Sequence, residues 1–384
     1  MVGQQNAELS TPPQNRATPL GKPRVALVHD WLNQQGGAEN VLEELVALYP
    51  GAPVYTSMYD RSAMPDAYRA WDIRTTFMQK LPGVTRHHQK YLAAYPLAFQ
   101  RTDVSDYDLV ISNKSAFCHG VQTQSARGKA LHVCYCLTPT RFVWDFDRYV
   151  AHEGRSRLAR TVVPPLLGPL QAWDFDAAQR VDHFIGISSA VRDRIQRIYR
   201  RQAAVLYPPV DLSQFSPSDA RDDYYLIVSR LIPYKRVDIA IEAFNHLRRR
   251  LVIIGDGRDR ARLESLAGPT IEFWGRLSDG ETRAALAKAK AFIFPGLEDF
   301  GLTPVEAQAS GRPVIAYAAG GALDTVIPGL TGAWFYPQTA DALARVVEQM
   351  DVDALDPATC RANAARFDVS VFRQRLADFI DGME

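Results

Sequence analysis

Cysteine is scarce, at four residues in a chain of 384. That excludes the dense disulfide framework of small secreted domains. Cys134 and Cys136 sit on the strand-like run LHVCYC, where alternate residues share one face. With no His or Cys at ligand spacing nearby, they are expected to be buried, reduced thiols of a cytosolic protein rather than zinc ligands. Long hydrophobic runs are absent too. None reaches the roughly 18 residues of a membrane-spanning helix. Net charge is nearly nil, with 44 Lys+Arg against 43 Asp+Glu and a formal value of +1. Such a balance gives no global pull toward nucleic acid or acidic partners. The local clusters Arg248–Arg250 and RHHQK, Arg86–Lys90, read as solvated faces. Residues 1–23 are polar and Pro-rich, lack the apolar core of a signal peptide, and are expected to form a disordered tail.

What is present is globular: 47% hydrophobic and 23% charged residues. The length predicts two or three domains. RVALVHD reads as a buried strand; a loop with Gly36 and Gly37 comes next, then a helix with Val41, Leu42, Leu45 and Leu48 at helical spacing. DLVISN, LHVCYC and DHFIGIS continue as strands, and Ser188 or Ser189 is expected to cap the helix after the last. From Pro208 to Asp223 the texture turns to proline and turn residues, which marks a linker. Alternation then resumes through YYLIVSR, VDIAIEAFNHL, RLVIIGDG, IEFWGR, AFIFPG and RPVIAY. The predicted class is α/β, with two doubly wound domains in tandem and ligands bound outside the carboxyl ends of the strands. The boundaries are 24–207 for the first domain, 208–223 for the linker, 224–368 for the second, and 369–384 for an amphipathic C-terminal helix.

Several motifs fall at those strand ends. Gly36 and Gly37 precede a helix N-terminus, where free N–H groups and the helix dipole favour an anion. Arg230 and Lys235, in SRLIPYKR, suit a diphosphate. IIGDGRDR resembles a dinucleotide fingerprint, but Arg260 stands where the third glycine belongs. Gly255 and Gly257 are therefore expected to shape a tight turn instead. Asp145-Phe146-Asp147 and Asp174-Phe175-Asp176 are D-x-D patterns off the nucleotide-binding units, so a metal is not expected. In EDFGLTPVE, Thr303, Pro304 and Glu306 fit a capping box with Pro at its first helical position. Glu298 has no such duty and lies just past a strand end, where a carboxylate can accept from sugar hydroxyls.

Together, E-x7-E (Glu298, Glu306), SRLIPYKRVDIAIEAF, IIGDGRDRARLESLA and VALVHDWLNQQGGAENVLEEL resemble glycosyltransferase family 4 from about Arg24 onward. These are retaining enzymes of the GT-B fold. VCYCLTPTRFVWD is similar to the branch of bacterial exopolysaccharide and O-antigen mannosyltransferases. The resemblance implies Arg230 and Lys235 on the diphosphate, Glu306 on the ribose, and Glu298 with Phe300, Gly301, Leu302 and Thr303 on the transferred sugar. Gly36, Gly37 and Gly255 would also meet the donor, Trp274, Gly275 and Arg276 would lie beside the base, and the C-terminal helix would cross back to the first domain. Asp30, His119 and Arg141 are the candidates for sugar or acceptor contact. The related branch has His at Leu137 and near Ser115, and the family commonly has Gly at Asp299.

The implied reaction is metal-independent and cofactor-free hexosyl transfer from a nucleotide sugar, GDP-mannose by best fit, to a glycan or polyprenyl-linked acceptor. The place is the cytoplasm, at the inner face of the membrane if the acceptor is lipid-linked, with no nucleic acid as partner. Arg155–Arg160 and RTVVPPLLGPLQAW could rest on a bilayer, although a buried helix face is the favoured reading. The alternatives are a UDP-sugar donor, a metal-dependent transferase using a D-x-D, a sugar-nucleotide epimerase of similar fold, and a non-catalytic binding module.

Overall fold

Strands form where β-branched and aromatic residues run together, and their burial on both faces explains why those runs do not alternate with polar residues. β1 (Val25–His29) is typical, with all five residues buried. In the computed structural model, which describes residues 23–126, 128–146, 164–218 and 220–383, two parallel sheets are built from such runs. The first contains β1, β2 (Val54–Thr56), β3 (Ile73–Thr75), β4 (Leu109–Lys114), β5 (Leu131–Cys136), β6 (His183–Gly186) and β7 (Ala203–Val205) in the order 3-2-1-4-5-6-7. The second contains β8 (Tyr225–Val228), β9 (Leu251–Ile254), β10 (Ile271–Gly275), β11 (Ala291–Phe294), β12 (Val314–Tyr317) and β13 (Gly332–Phe335) in the order 10-9-8-11-12-13. Each order reverses at its first strand, which places a crevice at the carboxyl ends of β1 and β4 and again of β8 and β11. The registers fix those ends: Leu27 pairs with both Val54 and Ile111, and Tyr225 with both Leu251 and Ala291.

The principal helices are α1 (Gly37–Leu48), α2 (Arg141–Trp144), α3 (Pro164–Gln179), α4 (Ser189–Tyr199), α5 (Val237–Leu247), α6 (Asp279–Lys288), α7 (Leu302–Ala309) and α8 (Val369–Asp381). Ser188 caps α4 by accepting from the Val191 N–H at 3.1 Å. A full capping box opens α6, where Ser278 accepts from the Glu281 N–H and the Glu281 carboxylate accepts from the Ser278 N–H. The expected box at Thr303 does not form. α7 begins at Leu302, two residues before the expected first helical position at Pro304, with Gly301 as its uncapped N-cap at φ 85°. Glycine at φ > 0 lets the chain turn straight from the loop into the helix, so Thr303 and Glu306 lie inside it.

The linker between β7 and β8 is anchored by rings. Tyr207 stacks on Phe300 at 5.8 Å and meets Phe367 edge-on at 5.0 Å. α8 returns to the first sheet, with Phe372 against Tyr135 at 5.7 Å and the Arg373 guanidinium donating to Glu44 of α1 at 2.6 Å. All four cysteines are free and buried. No described helix is long and apolar enough to cross a membrane. Within α3, Leu170 is buried and Trp173 packs edge-on against Phe117 at 5.6 Å. Residues 1–22, Asp147 and the Arg155–Arg160 region lie outside the described residues.

Candidate active site

The carboxyl ends of the two sheets face each other across a cavity of about 1040 Å³. From the first domain its wall includes Gly36, Gly37, Ser115, Leu137 and Arg141. From the second it includes Arg230, Lys235, Gly255, Arg276, Glu298 and Phe300–Thr303. Two helix N-termini meet here. A Cβ placed on Gly37, the first residue of α1, would stand 3.0 Å from the Leu302 side chain at the start of α7. Neither helix has a side-chain cap. Their orphan N–H groups and positive dipole ends converge on one space, which suits an anion.

The loop between β11 and α7 is pressed into place by glycine. The Glu298 carbonyl accepts from the Gly321 N–H at 3.0 Å, and a Cβ on Gly321 would lie 2.2 Å from the Phe300 backbone. No larger residue lets these two stretches of backbone approach so closely. The loop thereby presents Glu298 to the cavity, where it is ion-paired with Lys235. Both side chains are mostly shielded, at 21% and 14% exposure. Arg230 is exposed at the same wall and makes no ion pair among the described residues.

Asp299 does something a glycine cannot. Its carboxylate accepts from Arg141 Nε at 3.1 Å and Arg194 Nη1 at 2.8 Å, and Arg141 Nη2 also donates to it. Both arginines belong to the first domain, on α2 and α4, so Asp299 bridges the cleft. Burial pushes this carboxyl up, but the two guanidiniums overcome it and hold it below the usual aspartate range. A second bridge runs from Asp324, whose carboxylate accepts from the Ser189 N–H at 3.0 Å and from the Tyr207 hydroxyl at 3.2 Å.

Glu306 is one turn into α7, deeper than Leu302 and Thr303, and does not line the cavity. Burial pushes its carboxyl up to about 7, with Asp279 adding and Arg283 opposing. The expected capping role is thus corrected, while a group that accepts or donates near neutral pH remains behind the helix start.

Other expected site residues are placed elsewhere. Asp30 is buried and spends its carboxylate on the chain itself. It accepts from the N–H groups of Ser115, Ala116, Phe117 and Cys118 at 2.6–2.8 Å and from the Ser115 hydroxyl at 3.1 Å. It organises the turn after β4 and has nothing left for a sugar. His119 is fully buried, with Nε2 3.6 Å from Asp174, and desolvation holds its pKa well below the ordinary value. It is a core residue, one turn past the cavity wall. Trp274 alternates outward on the edge strand β10, where its indole donates to Glu272 at 3.0 Å and packs on Tyr224. Gly275 does not line the cavity, and its carbonyl accepts from the Gly255 N–H at 2.8 Å. Asp174 accepts from Thr140, Trp144 and Tyr199 at 2.6–2.8 Å, and Asp176 is exposed away from it. That D-x-D therefore forms no metal pair, because i and i+2 on a helix face apart. Among the described residues, no cluster of three or more His, Cys, Asp or Glu could hold a metal.

Sequence reasoning missed part of the first-domain wall. His29, at the end of β1, is buried against Glu39 with Nε2 3.2 Å from the carboxylate. Its signal was the glutamate two residues after Gly37. His88, within a run read as solvated, is half-buried in the wall, with Nδ1 2.9 Å from the Tyr95 hydroxyl and its ring 4.8 Å from that of Trp31. It supplies an imidazole on the side where Leu137 and Ser115 stand in place of the related branch's histidines.

Residues 211–367, which carry the second-domain wall of this cleft, match the family described as "Glycosyl transferases group 1". This part of the chain is similar to a group 1 glycosyltransferase domain. Among curated proteins, the chain is 36% identical over 181 residues to a GDP-mannose-dependent alpha-mannosyltransferase of Mycolicibacterium smegmatis, covering 42% of this chain and 46% of that protein. It is 31% identical over 234 residues to a GDP-mannose-dependent alpha-(1-6)-phosphatidylinositol monomannoside mannosyltransferase of Mycobacterium tuberculosis, covering 51% and 60%. The chain thus spans about half the length of the curated relatives it matches. Among solved structures, Anabaena Alr3699/HepE in complex with UDP aligns over 94% of this chain and 100% of its own, with TM-score 0.69 and 19% identity. Sucrose-phosphate synthase from Thermosynechococcus elongatus aligns over 94% and 99%, with TM-score 0.68 and 19% identity. These likenesses show the fold, GT-B, with two Rossmann-like domains across a cleft.

Proposed function

We propose that this protein is a retaining, metal-independent hexosyltransferase that moves mannose from GDP-mannose to a glycan or lipid-linked acceptor. One observation carries the reading: two uncapped helix N-termini meet across the cavity beside Arg230 and Lys235. A nucleotide diphosphate is the ligand whose charge that arrangement matches. The GDP-mannose choice is supported by the names of the curated relatives that match part of the chain.

In this reading the diphosphate lies between α7 and Arg230, and the hexose extends toward Glu298. Glu298 and Lys235 neutralise each other at the cleft wall. A bound donor would separate their duties, Lys235 turning to phosphate and Glu298 accepting from sugar hydroxyls. The acceptor hydroxyl oxygen bonds to the anomeric carbon as the carbon–oxygen bond to the diphosphate breaks on the same face. The hydroxyl proton passes to the departing phosphate oxygen, so no protein base is required. Arg230, Lys235 and the helix N–H groups stabilise the charge that grows on the leaving group. No resident cofactor takes part. The enzyme would act in the cytoplasm, at the inner face of the membrane when its acceptor is lipid-linked.

The test is a screen of GDP-mannose, UDP-glucose and UDP-GlcNAc by thermal shift and by slow hydrolysis without acceptor, in excess EDTA. GDP-mannose should stabilise the protein most and be hydrolysed. Stronger response to a UDP-sugar would replace the donor, loss of hydrolysis with EDTA would replace the mechanism, and conversion of a nucleotide sugar to its epimer would replace the reaction.

A further inference from the structure

A second cavity, of about 410 Å³, opens on the other side of the Asp299 bridge. Both domains build it. Arg141 comes from α2, Arg194 and Arg197 come from α4, and Arg230 and Arg236 flank the turn Pro233–Lys235 of the second domain. Against these five arginines its lining holds two acidic side chains, Asp145 and Asp299. Arg141 and Arg194 share the single charge of Asp299. Arg236 is paired with Asp238 at 3.2 Å, outside the lining. Arg197 and Arg230 make no ion pair among the described residues. Counting Asp238 as well, positive charge is in excess around this cavity.

Like charges gathered round one cavity repel unless an anion lies between them. Arginine is the residue whose planar fork matches phosphate oxygens in pairs. The volume falls within the roughly 300–1000 Å³ of small-molecule sites. It adjoins the main cleft, since Arg141, Arg230, Tyr234 and Asp299 line both cavities and form the wall between them.

We infer that this arginine-lined annex binds a phosphate or diphosphate group, carried by the acceptor whose hydroxyl enters the adjoining cleft. The inference rests on the transferase reading for its choice of carrier, but the anion site stands on its own geometry. An anion here would be held by Arg194, Arg197 and Arg236 while the donor diphosphate occupies the helix N-termini. The acceptor would then be anchored at a point separate from the reacting hydroxyl, and neutral glycans would bind poorly.

The test begins with GDP titrated alone, which examines the nucleotide reading by itself. Inorganic diphosphate is then titrated by calorimetry into protein saturated with GDP, or into the free protein if GDP does not bind. Binding that weakens at least tenfold in Arg197→Glu and in Arg236→Gln, with GDP affinity unchanged, is expected. Absence of diphosphate binding, or equal binding by wild type and both variants, would overturn the site. Alkyl glycosides are then compared with glycosyl diphosphates of the same sugars as acceptors. Arg197→Glu should raise KM at least tenfold for the diphosphates alone. An equal effect on both acceptors, with diphosphate binding still weakened, would assign the site to free phosphate and overturn the acceptor assignment.

Discussion

Replacing Asp299 by Asn should loosen the two domains without unfolding either. Among the described residues, Asp299 is the one residue of the second domain that pairs with both Arg141 and Arg194 of the first. A hydrogen bond to a charged group is worth about 1.5–3 kcal/mol when shielded, and an exposed ion pair about 0.2–1 kcal/mol. Arg194 is 25% exposed and falls toward the first figure, while Arg141 is 41% exposed and falls toward the second. The clamp therefore contributes about 2 kcal/mol to the closed arrangement, equivalent to roughly a thirtyfold shift between closed and open forms. Asn keeps the shape and removes the charge. Small-angle scattering of the ligand-free protein should show a larger radius of gyration in Asp299→Asn, and a saturating donor should restore much of the difference. The same scattering curve for variant and wild type would refute the idea that this bridge holds the cleft shut. The depressed pKa of Asp299 means its stabilising effect is present above the ordinary carboxylate range and lost as pH falls below it. The clamp is thus intact at neutral pH and opens only in acid.

Three further outcomes are expected. Glu298→Gln should lower turnover more than tenfold while shifting the melting temperature little, since Glu298 pairs only within the cleft; full activity at equal stability would remove it from the sugar site. Asp30→Asn should cost about 3 kcal/mol or more in urea unfolding, because a buried carboxylate that accepts five hydrogen bonds loses its charge and one acceptor atom. Glu306 has a folded pKa raised to about 7, so the folded state holds a proton that the unfolded chain releases. Its contribution is full below the ordinary glutamate range and is lost as pH rises to about 7. Glu306→Gln should flatten that decline, giving a higher melting temperature than wild type at pH 8 and little difference at pH 5.

Much of the fold could be read directly, because parallel strands buried on both faces appear as unbroken apolar runs such as VALVH and LVII. The short strands Val54–Thr56 and Ile73–Thr75 carry too few residues to show a period. Part of the second-domain wall of the cleft was legible because Arg230, Lys235 and the Glu298–Thr303 loop lie on the segments that leave the carboxyl ends of β8 and β11. The start of α7 was misplaced because Pro304 and Thr303 offered a good cap, yet Gly301 at positive φ turned the chain two residues sooner. The first-domain side was read less well, for a different reason. Asp30 looked like a cleft carboxylate, but its partners lie some 85 positions away on the turn after β4. Asp299 and Arg141 are separated by 158 positions. No local pattern encodes such pairs; they exist only once both sheets have folded and faced each other.

The role proposed for Arg230 and Lys235 is to stabilise a departing nucleotide diphosphate in this cleft. Its most direct test is the rate of GDP release from GDP-mannose in wild type, Arg230→Ala and Lys235→Ala, each checked for unchanged folding. Each substitution should slow release by well over tenfold, as expected if each cation stabilises the transition state by more than about 1.4 kcal/mol. Wild-type rates in both variants would contradict it.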